Sequence, residues 1–430
     1  MKKQLFTLAI VGLTAMQVQA QEAKPLSDTD SLKLKVEKLE AATGFLNRLK
    51  ISGYIQAQYQ VADSAGIKSF AGGDFNNGVD KRFATRRGRI KFNYVGNMSE
   101  YVLQLDATEK GVFIKDAYGK VTDPILKAIS LQAGIFNRPF GFEIPYSSSQ
   151  RESPERGRMS QIIFPEERDM GMALVIEPPK TSPYNFIKLE AGFFNGTDPK
   201  GTPGDFDKQK DFIGHLTLKK SFMDERLKLS GGVSTYNGGV AMASKYVYSM
   251  NGSTGFVVDS SSYKKGDLLN KRNYIGIDAQ ASLDNPLGLT TLRVEYIQGT
   301  QPGTVGSSKS FEAQPTFTAK DGIYLRKFNG AYVYFLQNIG QTQHQLVVKY
   351  DFYDPNTAVA GTNVTAAGGS KLSSTDIKYN TLGLGWVYRY DANVKFTVYY
   401  DIVKNEKTAI SGYSQDLKDN VLTFRMQYKF

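Results

Sequence analysis

Six cationic side chains lie close together in the first quarter of the chain. Arginine keeps its proton under physiological conditions, and its planar guanidinium binds phosphate or carboxylate through two parallel N–H bonds. A run of such side chains therefore indicates contact with small anions. The run consists of Lys81, Arg82, Arg86, Arg87, Arg89 and Lys91, beside which only Asp80 is acidic.

The sequence offers little support for catalysis or for a metal site. Its only histidines are His215 and His344, and neither stands near a serine and an acid that would complete a hydrolase site. The glycine pairs at 231–232 and 238–239 do not precede a helix, as a nucleotide-binding loop requires. We therefore expect a protein that is not an enzyme and that uses no cofactor and no metal.

From about residue 50 onward, apolar and polar residues alternate along the chain. In the first run, Ile51, Ile55 and Tyr59 share one face, whereas Gln56 and Gln58 share the other. Alternation with a period of two is typical of a β-strand that separates an apolar medium from water. The pattern returns often enough to predict sixteen strands, an even number that allows an antiparallel barrel to close with both ends on one side.

The connections between these strands are sorted by length. Short links such as 96–99, 284–288 and 391–392 alternate with long segments such as 237–270. Bacterial outer-membrane barrels have short turns on one rim and long loops on the other. The sequence therefore predicts an all-β protein, a sixteen-stranded antiparallel transmembrane β-barrel over residues 48–430.

The same alternation decides where the basic residues point. In their strand, Ile90, Phe92 and Tyr94 occupy the lipid face. A charged side chain on that face would cost about 2–4 kcal/mol at the bilayer midplane, so the alternate residues are expected to line the lumen. Cations two residues apart lie about 7 Å apart along a strand, a spacing suited to passing an anion along. The predicted lumen residues are Arg87, Arg89, Lys91 and Asn93.

The long segment 137–168 is expected to fold into the barrel as a constriction. A loop of this length is more often functional or disordered than inert, and its apolar residues favour packing against a surface. Its five arginines are balanced by five glutamates, so the loop alone does not predict a preference for anions. With Asp106 and Glu100 on the strand after the basic row, these acids leave open a wall whose cations are only neutralised. The arginines are Arg138, Arg151, Arg156, Arg158 and Arg168.

The N-terminus predicts export. Residues 1–20 combine a basic start, an apolar stretch and a final Val18-Gln19-Ala20, the pattern of a signal peptide cleaved after Ala20. The chain has a net charge of +11, and the loss of Lys2 and Lys3 leaves +9. This excess suggests an anionic partner, and export argues against nucleic acid.

Residues 21–47 differ from the remainder of the chain. Leu32, Val36, Leu39 and Leu46 are separated by charged residues and follow the spacing of one helix face. The pattern predicts a short periplasmic helix with one apolar stripe. A small coiled coil and a helix that lies against another surface are both compatible with it.

The last residues continue the alternation to an aromatic end. Leu422, Phe424, Met426, Tyr428 and Phe430 occupy alternate positions. A terminal phenylalanine at this spacing resembles the recognition strand that the assembly machinery of outer-membrane barrels reads. We therefore expect two partners, outer-membrane lipid and, through Phe430, the barrel-assembly machinery.

Four short motifs, in a fixed order, resemble the phosphate-selective porin O and P family of Gram-negative outer membranes. They span residues 86–172, and the short N-terminal helix and the final phenylalanine also agree with that family. The motifs are Arg86-Arg87-Gly88-Arg89, Lys115-Asp116-Ala117-Tyr118, Gly134-Ile135-Phe136-Asn137-Arg138-Pro139-Phe140-Gly141 and Glu167-Arg168-Asp169-Met170-Gly171.

The resemblance implies a trimeric channel with an inward third loop and a basic central site for phosphate-like anions. It implies that Asp116 is an acid of the pore wall, that Pro139 and Phe140 begin the constriction loop, and that Arg168 and Asp169 end it. The candidate residues of the anion path are Arg87, Arg89, Lys91, Asp116, Arg138, Arg151, Arg156, Arg158 and Arg168.

The sequence as a whole favours a passive porin, expected as a homotrimer in the outer membrane of a Gram-negative bacterium, with a preference for phosphate-like anions. A small-anion solute would be attracted into a narrow, basic-walled pore and bound weakly enough to leave it. Two alternatives stay open. One is a general, non-specific porin, and the other is a surface binding or adhesion barrel whose large loops engage a partner.

Overall fold

The computed structural model describes residues 28–196, 209–241, 246–258, 269–311 and 322–430. The predicted signal peptide and residues 21–27 of the predicted helical segment lie outside these ranges. The described residues 28–48 and the described residues from Leu49 onward form two separate structural units. None of the helices in the described ranges is both long enough and apolar enough to cross a bilayer.

The first unit contains the helix α1, Asp28–Arg48. Leu32, Leu39 and Leu46 are spaced seven residues apart along it, and each is about 60 % exposed, with values of 59, 65 and 64 %. The predicted apolar stripe therefore exists, and it faces solvent.

The second unit is a closed barrel of sixteen antiparallel strands, as predicted. Each strand pairs with the next one along the chain, and the last strand pairs with the first. Two further strands, β10 (Val247–Met250) and β11 (Phe256–Val258), form a hairpin inside the long loop after β9 (Leu227–Ala241), and β10 also pairs in parallel with β14 (Ile323–Asn338). The strands are β1 Leu49–Ala62, β2 Lys81–Val95, β3 Ser99–Thr108, β4 Gly111–Thr122, β5 Ile129–Asn137, β6 Arg168–Ile176, β7 Ile187–Phe194, β8 Asp211–Phe222, β9 Leu227–Ala241, β10 Val247–Met250, β11 Phe256–Val258, β12 Leu269–Asn285, β13 Gly288–Gly303, β14 Ile323–Asn338, β15 His344–Asp354, β16 Tyr379–Arg389, β17 Val394–Asn405 and β18 Val421–Lys429.

Alternate residues of the strands face opposite sides of the wall. On β18, Phe424 and Met426 are exposed on the outside, whereas Thr423 and Arg425 are buried inside. Repetition of this arrangement around the barrel gives an apolar outer band that suits lipid. At the short-turn rim, the rings of His344, Trp386 and Tyr388 stack on one another as part of an aromatic belt.

The barrel closes at the end of the chain. The backbone N–H of Phe430 donates to the carbonyl of Gly53 at 3.0 Å, and the N–H of Gly53 donates back at 3.1 Å. The ring of Phe430 lies over Gly53, where a Cβ atom would overlap it. The final residue is thus part of the seam between β18 and β1.

The long loops pack together above one side of the barrel. Tyr248 and Phe256 of the β10–β11 hairpin contact a small apolar core that also includes Tyr324 and Val364. Beneath it, Arg326 Nε donates to Asp376 Oδ1 at 2.8 Å in a fully buried ion pair. The loops on this side therefore form a packed rim.

Candidate functional site

Two β-bulges turn adjacent charged residues toward the interior. Opposite β1, Arg87 pairs with Gln56 and Thr85 pairs with Ala57, so that Arg86 has no partner of its own in the ladder. Lys115 is the extra residue of a second bulge, between β3 and β4. An extra residue reverses the alternation, so two consecutive side chains face the same side. Arg86 and Arg87 both point inward, as do Lys115 and its neighbour Asp116.

The segment from Arg138 to Glu167, which we call the constriction loop, lies inside the barrel. It contains the short helix α2, Arg158–Ile163. Its apolar residues pack against inward-facing aromatic rings of β9, β12 and β14, as the contact of Phe164 with Tyr274 at 5.8 Å between ring centroids illustrates. The loop thereby fills one side of the lumen.

A buried glutamate of the wall fixes the start of this loop. Glu295 on β13 accepts the backbone N–H groups of Phe142 and Glu143 at 3.2 and 3.1 Å, and the hydroxyl of Tyr332 at 2.6 Å. Gly141 turns the chain inward with a φ of 61°, a conformation that favours glycine. A Cβ atom at Gly141 would overlap the carboxylate of Glu295.

Three arginines of the wall meet one carboxylate of the constriction loop. Glu155 accepts hydrogen bonds from Arg86, Arg87 and Arg425, each at 2.8 Å. Burial alone would raise the pKa of Glu155, but the three positive charges outweigh it and hold that pKa well below the usual range. The cluster is therefore ionised at neutral pH and carries an excess of positive charge.

A second cluster closes the end of the constriction loop. Glu167 contacts Arg156, Lys115 and Arg168, and Arg168 Nε also donates to Asp116 Oδ1 at 3.0 Å. Burial would raise the pKa of Glu167, but these cations lower it well below its usual value. The acids of the loop thus neutralise much of the basic wall. This arrangement corresponds to the interpretation of the sequence in which the cations of the wall are only neutralised.

Among the described residues, two large cavities lie beside the constriction loop. The outer cavity, about 540 Å³, lies at the long-loop end and is lined by six cationic and five acidic side chains, among them Arg87, Arg89 and Asp106. The inner cavity, about 1180 Å³, lies at the short-turn end and is lined by seven cationic and four acidic side chains. Strand β2 passes both, since Arg89 lines the outer cavity and Lys91 the inner one.

The predicted anion-path residues all lie inside the barrel but in different surroundings. Arg87 and Arg89 line the outer cavity and are paired with acids, Arg89 Nε with Asp106 Oδ2 at 3.0 Å. Lys91 lines the inner cavity and has no ion pair within the described ranges. Asp116 and Arg138 also line the inner cavity, and the other four line neither. Those four are Arg151, Arg156, Arg158 and Arg168.

Arg158 has no ion pair within the described ranges, and its guanidinium lies against aromatic rings. Its guanidinium carbon lies 3.7 Å from the ring centroid of Tyr379 and 4.4 Å from that of Phe70. Burial lowers the pKa of Arg158. This arrangement joins the constriction loop to the first long loop, which also enters the barrel mouth.

Sequence reasoning missed the lysines that give the inner cavity its excess charge. They come from β4, β7, β8 and β9, strands that contain no run of basic residues comparable to that of β2. Lys220 and Lys120 resemble Lys91 in having no ion pair within the described part of the chain, but Lys220 Nζ lies 5.5 Å from the ring centroid of Phe222, which leaves Lys120 as the notable one. Alternation assigns it to the lumen together with Tyr118, which is the signal that could have found it. The lysines are Lys120, Lys188, Lys219, Lys220 and Lys228.

One histidine does lie beside an acid. His215 Nε2 is 3.1 Å from Asp278 Oδ2 and 3.4 Å from the hydroxyl of Thr217. Within the described residues, no group of three or more histidine or acidic side chains could hold a metal ion. The pair contributes one acid to the wall of the inner cavity.

Comparisons with known proteins agree with this geometry at the level of the fold. No protein-family model matches the sequence, and the search of curated proteins finds no relative. An anion-selective porin of Comamonas acidovorans superposes with a TM-score of 0.50 and 10 % identity, over 89 % of this chain and 99 % of that one. The outer membrane channel DcaP of Acinetobacter baumannii superposes with a TM-score of 0.52 and 12 % identity, over 89 and 97 % of the two chains.

These similarities establish a class of fold. The chain is a sixteen-stranded β-barrel with the fold of Gram-negative outer-membrane porins. Its apolar outer band requires lipid, and a closed barrel of this kind belongs in the outer membrane. One of these neighbours is a porin by name, and the other is an outer membrane channel by name.

Proposed function

We propose that this protein is a passive outer-membrane channel that prefers phosphate-like anions. The observation that carries the proposal is the inner cavity, in which cationic side chains outnumber acidic ones by seven to four. A cavity with low-dielectric walls concentrates the field of such an excess and raises the local concentration of anions. The selectivity of the neighbour from Comamonas acidovorans, an anion-selective porin by name, is compatible with this proposal.

The path that we propose follows β2 and β4. Arg89 in the outer cavity and Lys91 in the inner one are two residues apart on one face, about 7 Å along the strand. On β4, Lys115 lines the outer cavity and Asp116 lines the inner one. An anion leaving the paired arginines would therefore meet the unpaired ammonium of Lys91 next. Binding in steps of this kind remains weak enough for release.

Phosphate should compete with chloride if the path binds oxyanions. We expect single-channel chloride conductance in planar bilayers to fall as phosphate is added at about millimolar levels, because a divalent oxyanion occupies the basic wall longer than chloride does. Gluconate, which is large and monovalent, serves as the control. Equal effects of phosphate and gluconate would contradict a preference for phosphate-like anions.

A general porin without a preference is the second candidate. It is favoured by the outer cavity, where six cationic side chains face five acidic ones and the charge is nearly balanced. Under this alternative, the reversal potential in a potassium chloride gradient would stay close to zero. An anion-preferring pore would shift the reversal potential toward that of chloride.

We also propose that the protein is a homotrimer whose copies associate partly through α1. Leu32, Leu39 and Leu46 repeat every seven residues in register with Val36, as in the core positions of a coiled coil. Lys35 and Glu40 flank this stripe, five residues apart, at the positions that pair between neighbouring parallel helices. The exposed stripe would thereby be covered by the same stripe of other copies.

The C-terminal Phe430 lies at the seam of the barrel and is 52 % exposed. This exposure would suit contact with a partner in barrel assembly.

The helical contact can be tested in the full chain. Leu39→Asp is expected to weaken association in detergent, measured as a lower cross-linked fraction of oligomer, because it places a charge in the stripe. Lys38→Asp introduces the same residue beside the stripe and should leave association unchanged. An unaltered oligomer in Leu39→Asp would show that α1 does not join the copies.

A further inference from the structure

Arg151 of the constriction loop has surroundings that no other arginine of the loop has. Its side chain is 3 % exposed, and none of its three guanidinium nitrogens has a hydrogen-bond partner among the described residues. By contrast, Arg138, Arg156 and Arg168 each contact a carboxylate. Buried charges in folded proteins are paired, because a buried cation without an acceptor is strongly destabilising. Arg151 therefore calls for an anion that the neighbouring side chains do not supply.

The nearest acid in the sequence is already engaged. Glu152 accepts two hydrogen bonds from Arg293, at 2.8 and 3.1 Å, and one from the hydroxyl of Tyr146 at 3.3 Å. Arg156, a second cation, is also close by, since Arg151 acts with burial to lower the pKa of Arg156 to about 10, against the opposing effects of Glu167 and Glu143. The local field at Arg151 thus favours an added negative charge.

The backbone around Arg151 is fixed to the barrel wall. Lys395 Nζ on β17 donates to the carbonyl oxygens of Ser149 and Arg151 at 3.1 and 3.0 Å. Gln427 Nε2 on β18 donates to the same carbonyl of Ser149 at 3.0 Å. The preceding residue, Ser148, contacts the hydroxyl of Tyr54 at 2.6 Å. These contacts fix the backbone from which the Arg151 side chain projects.

We propose that Arg151 binds one small oxyanion, of the phosphate or carboxylate type, which holds the constriction loop against β17 and β18. The planar fork of arginine offers two parallel N–H donors to such an anion, and Lys395 Nζ, which donates to the backbone carbonyl of Arg151, lies close to the same segment. Arg151 lines neither the outer nor the inner cavity, so the site is separate from the proposed permeation path. It does not depend on whether the barrel conducts.

Binding can be measured on the full-length mature protein in detergent, without any current. Titration calorimetry with inorganic phosphate in a chloride-free buffer is expected to show a site that Arg151→Gln weakens at least about tenfold, since a charged hydrogen bond is lost. Arg226→Gln removes the same charge from an exposed turn and should bind phosphate like the wild type. Arg151→Lys keeps the charge but loses the fork, and we expect its binding to be weakened too. A Lys variant that binds as tightly as wild type would overturn the fork geometry.

Hydrogen–deuterium exchange locates the site without a substitution, and it decides the matter if Arg151→Gln fails to fold. Phosphate should slow exchange in the peptide 147–153 and leave 63–80, in the first long loop, unchanged. Acetate in place of phosphate distinguishes a carboxylate site from a phosphate site, and protection by either one supports the proposal. Exchange in 147–153 that responds to neither anion would overturn it.

Discussion

Replacing Lys91 and Lys120 by glutamate together is expected to turn an anion-preferring pore into a cation-preferring one. The two lysines are among the seven cationic side chains that line the inner cavity, and four acidic side chains line the same cavity. The double substitution leaves five cations against six acids, so the sign of the net charge reverses. Neither lysine has an ion pair within the described residues, and thus no buried carboxylate is stranded. The reversal potential in a potassium chloride gradient should change sign.

A matched control separates the cavity from the total charge of the protein. Lys407→Glu with Lys418→Glu makes the same change in charge on exposed positions of the loop between β17 and β18. Exposed charges more than about 10 Å from the path are largely screened at 0.1 M salt, so this control should keep the wild-type reversal potential. Equal shifts in both double variants would show that the inner cavity does not set the preference.

Glu155→Gln is expected to release the constriction loop from the wall. The substitution leaves Arg86, Arg87 and Arg425 without their shared carboxylate. Breaking a buried ion pair by removing one partner costs about 3–5 kcal/mol, because the remaining charges are buried and uncompensated. We expect limited proteolysis to cleave within residues 137–168 in this variant and not in the wild type. Pore conductance should rise in parallel.

The same carboxylate predicts how the loop responds to acid. Since the pKa of Glu155 is lowered in the folded barrel, its stabilising contribution is fully present at neutral pH. That contribution is lost progressively as the pH falls below about 4.5, the ordinary value for a glutamate. Wild-type protein should therefore resist cleavage in the loop at pH 6 to 8 and become susceptible only in stronger acid.

Glu109→Gln is the control both for proteolysis of the loop in Glu155→Gln and for the dependence of that proteolysis on pH. Glu109 also lines the outer cavity, but it is exposed and has no ion pair within the described ranges. The same loss of one negative charge should leave the constriction loop resistant to protease at every pH above about 4.5. Cleavage of the loop in Glu109→Gln, or resistance in Glu155→Gln, would contradict the role given to Glu155.

The sequence by itself determined the wall of the barrel. Alternation is a local property, because successive side chains of a strand face opposite sides and a charge on the lipid side is costly. The sixteen strands that the alternation predicts are observed, and Arg87, Arg89 and Lys91 lie inside the barrel as their positions required. The apolar residues of 137–168 likewise indicated a loop packed against a surface, and their contacts with inward-facing rings agree with that expectation.

Only the tertiary structure decided which charges are free. A single extra residue at Arg86 or Lys115 reverses the alternation locally. A sequence pattern with a period of two does not indicate where such an extra residue lies. Glu155 meets Arg425 across 270 positions of sequence because closure of the barrel brings β18 beside β1. Pairing of this kind depends on where the constriction loop crosses the lumen. For that reason the charge that remains, at Lys91 and Lys120, becomes apparent only once the barrel is closed and its loop is in place.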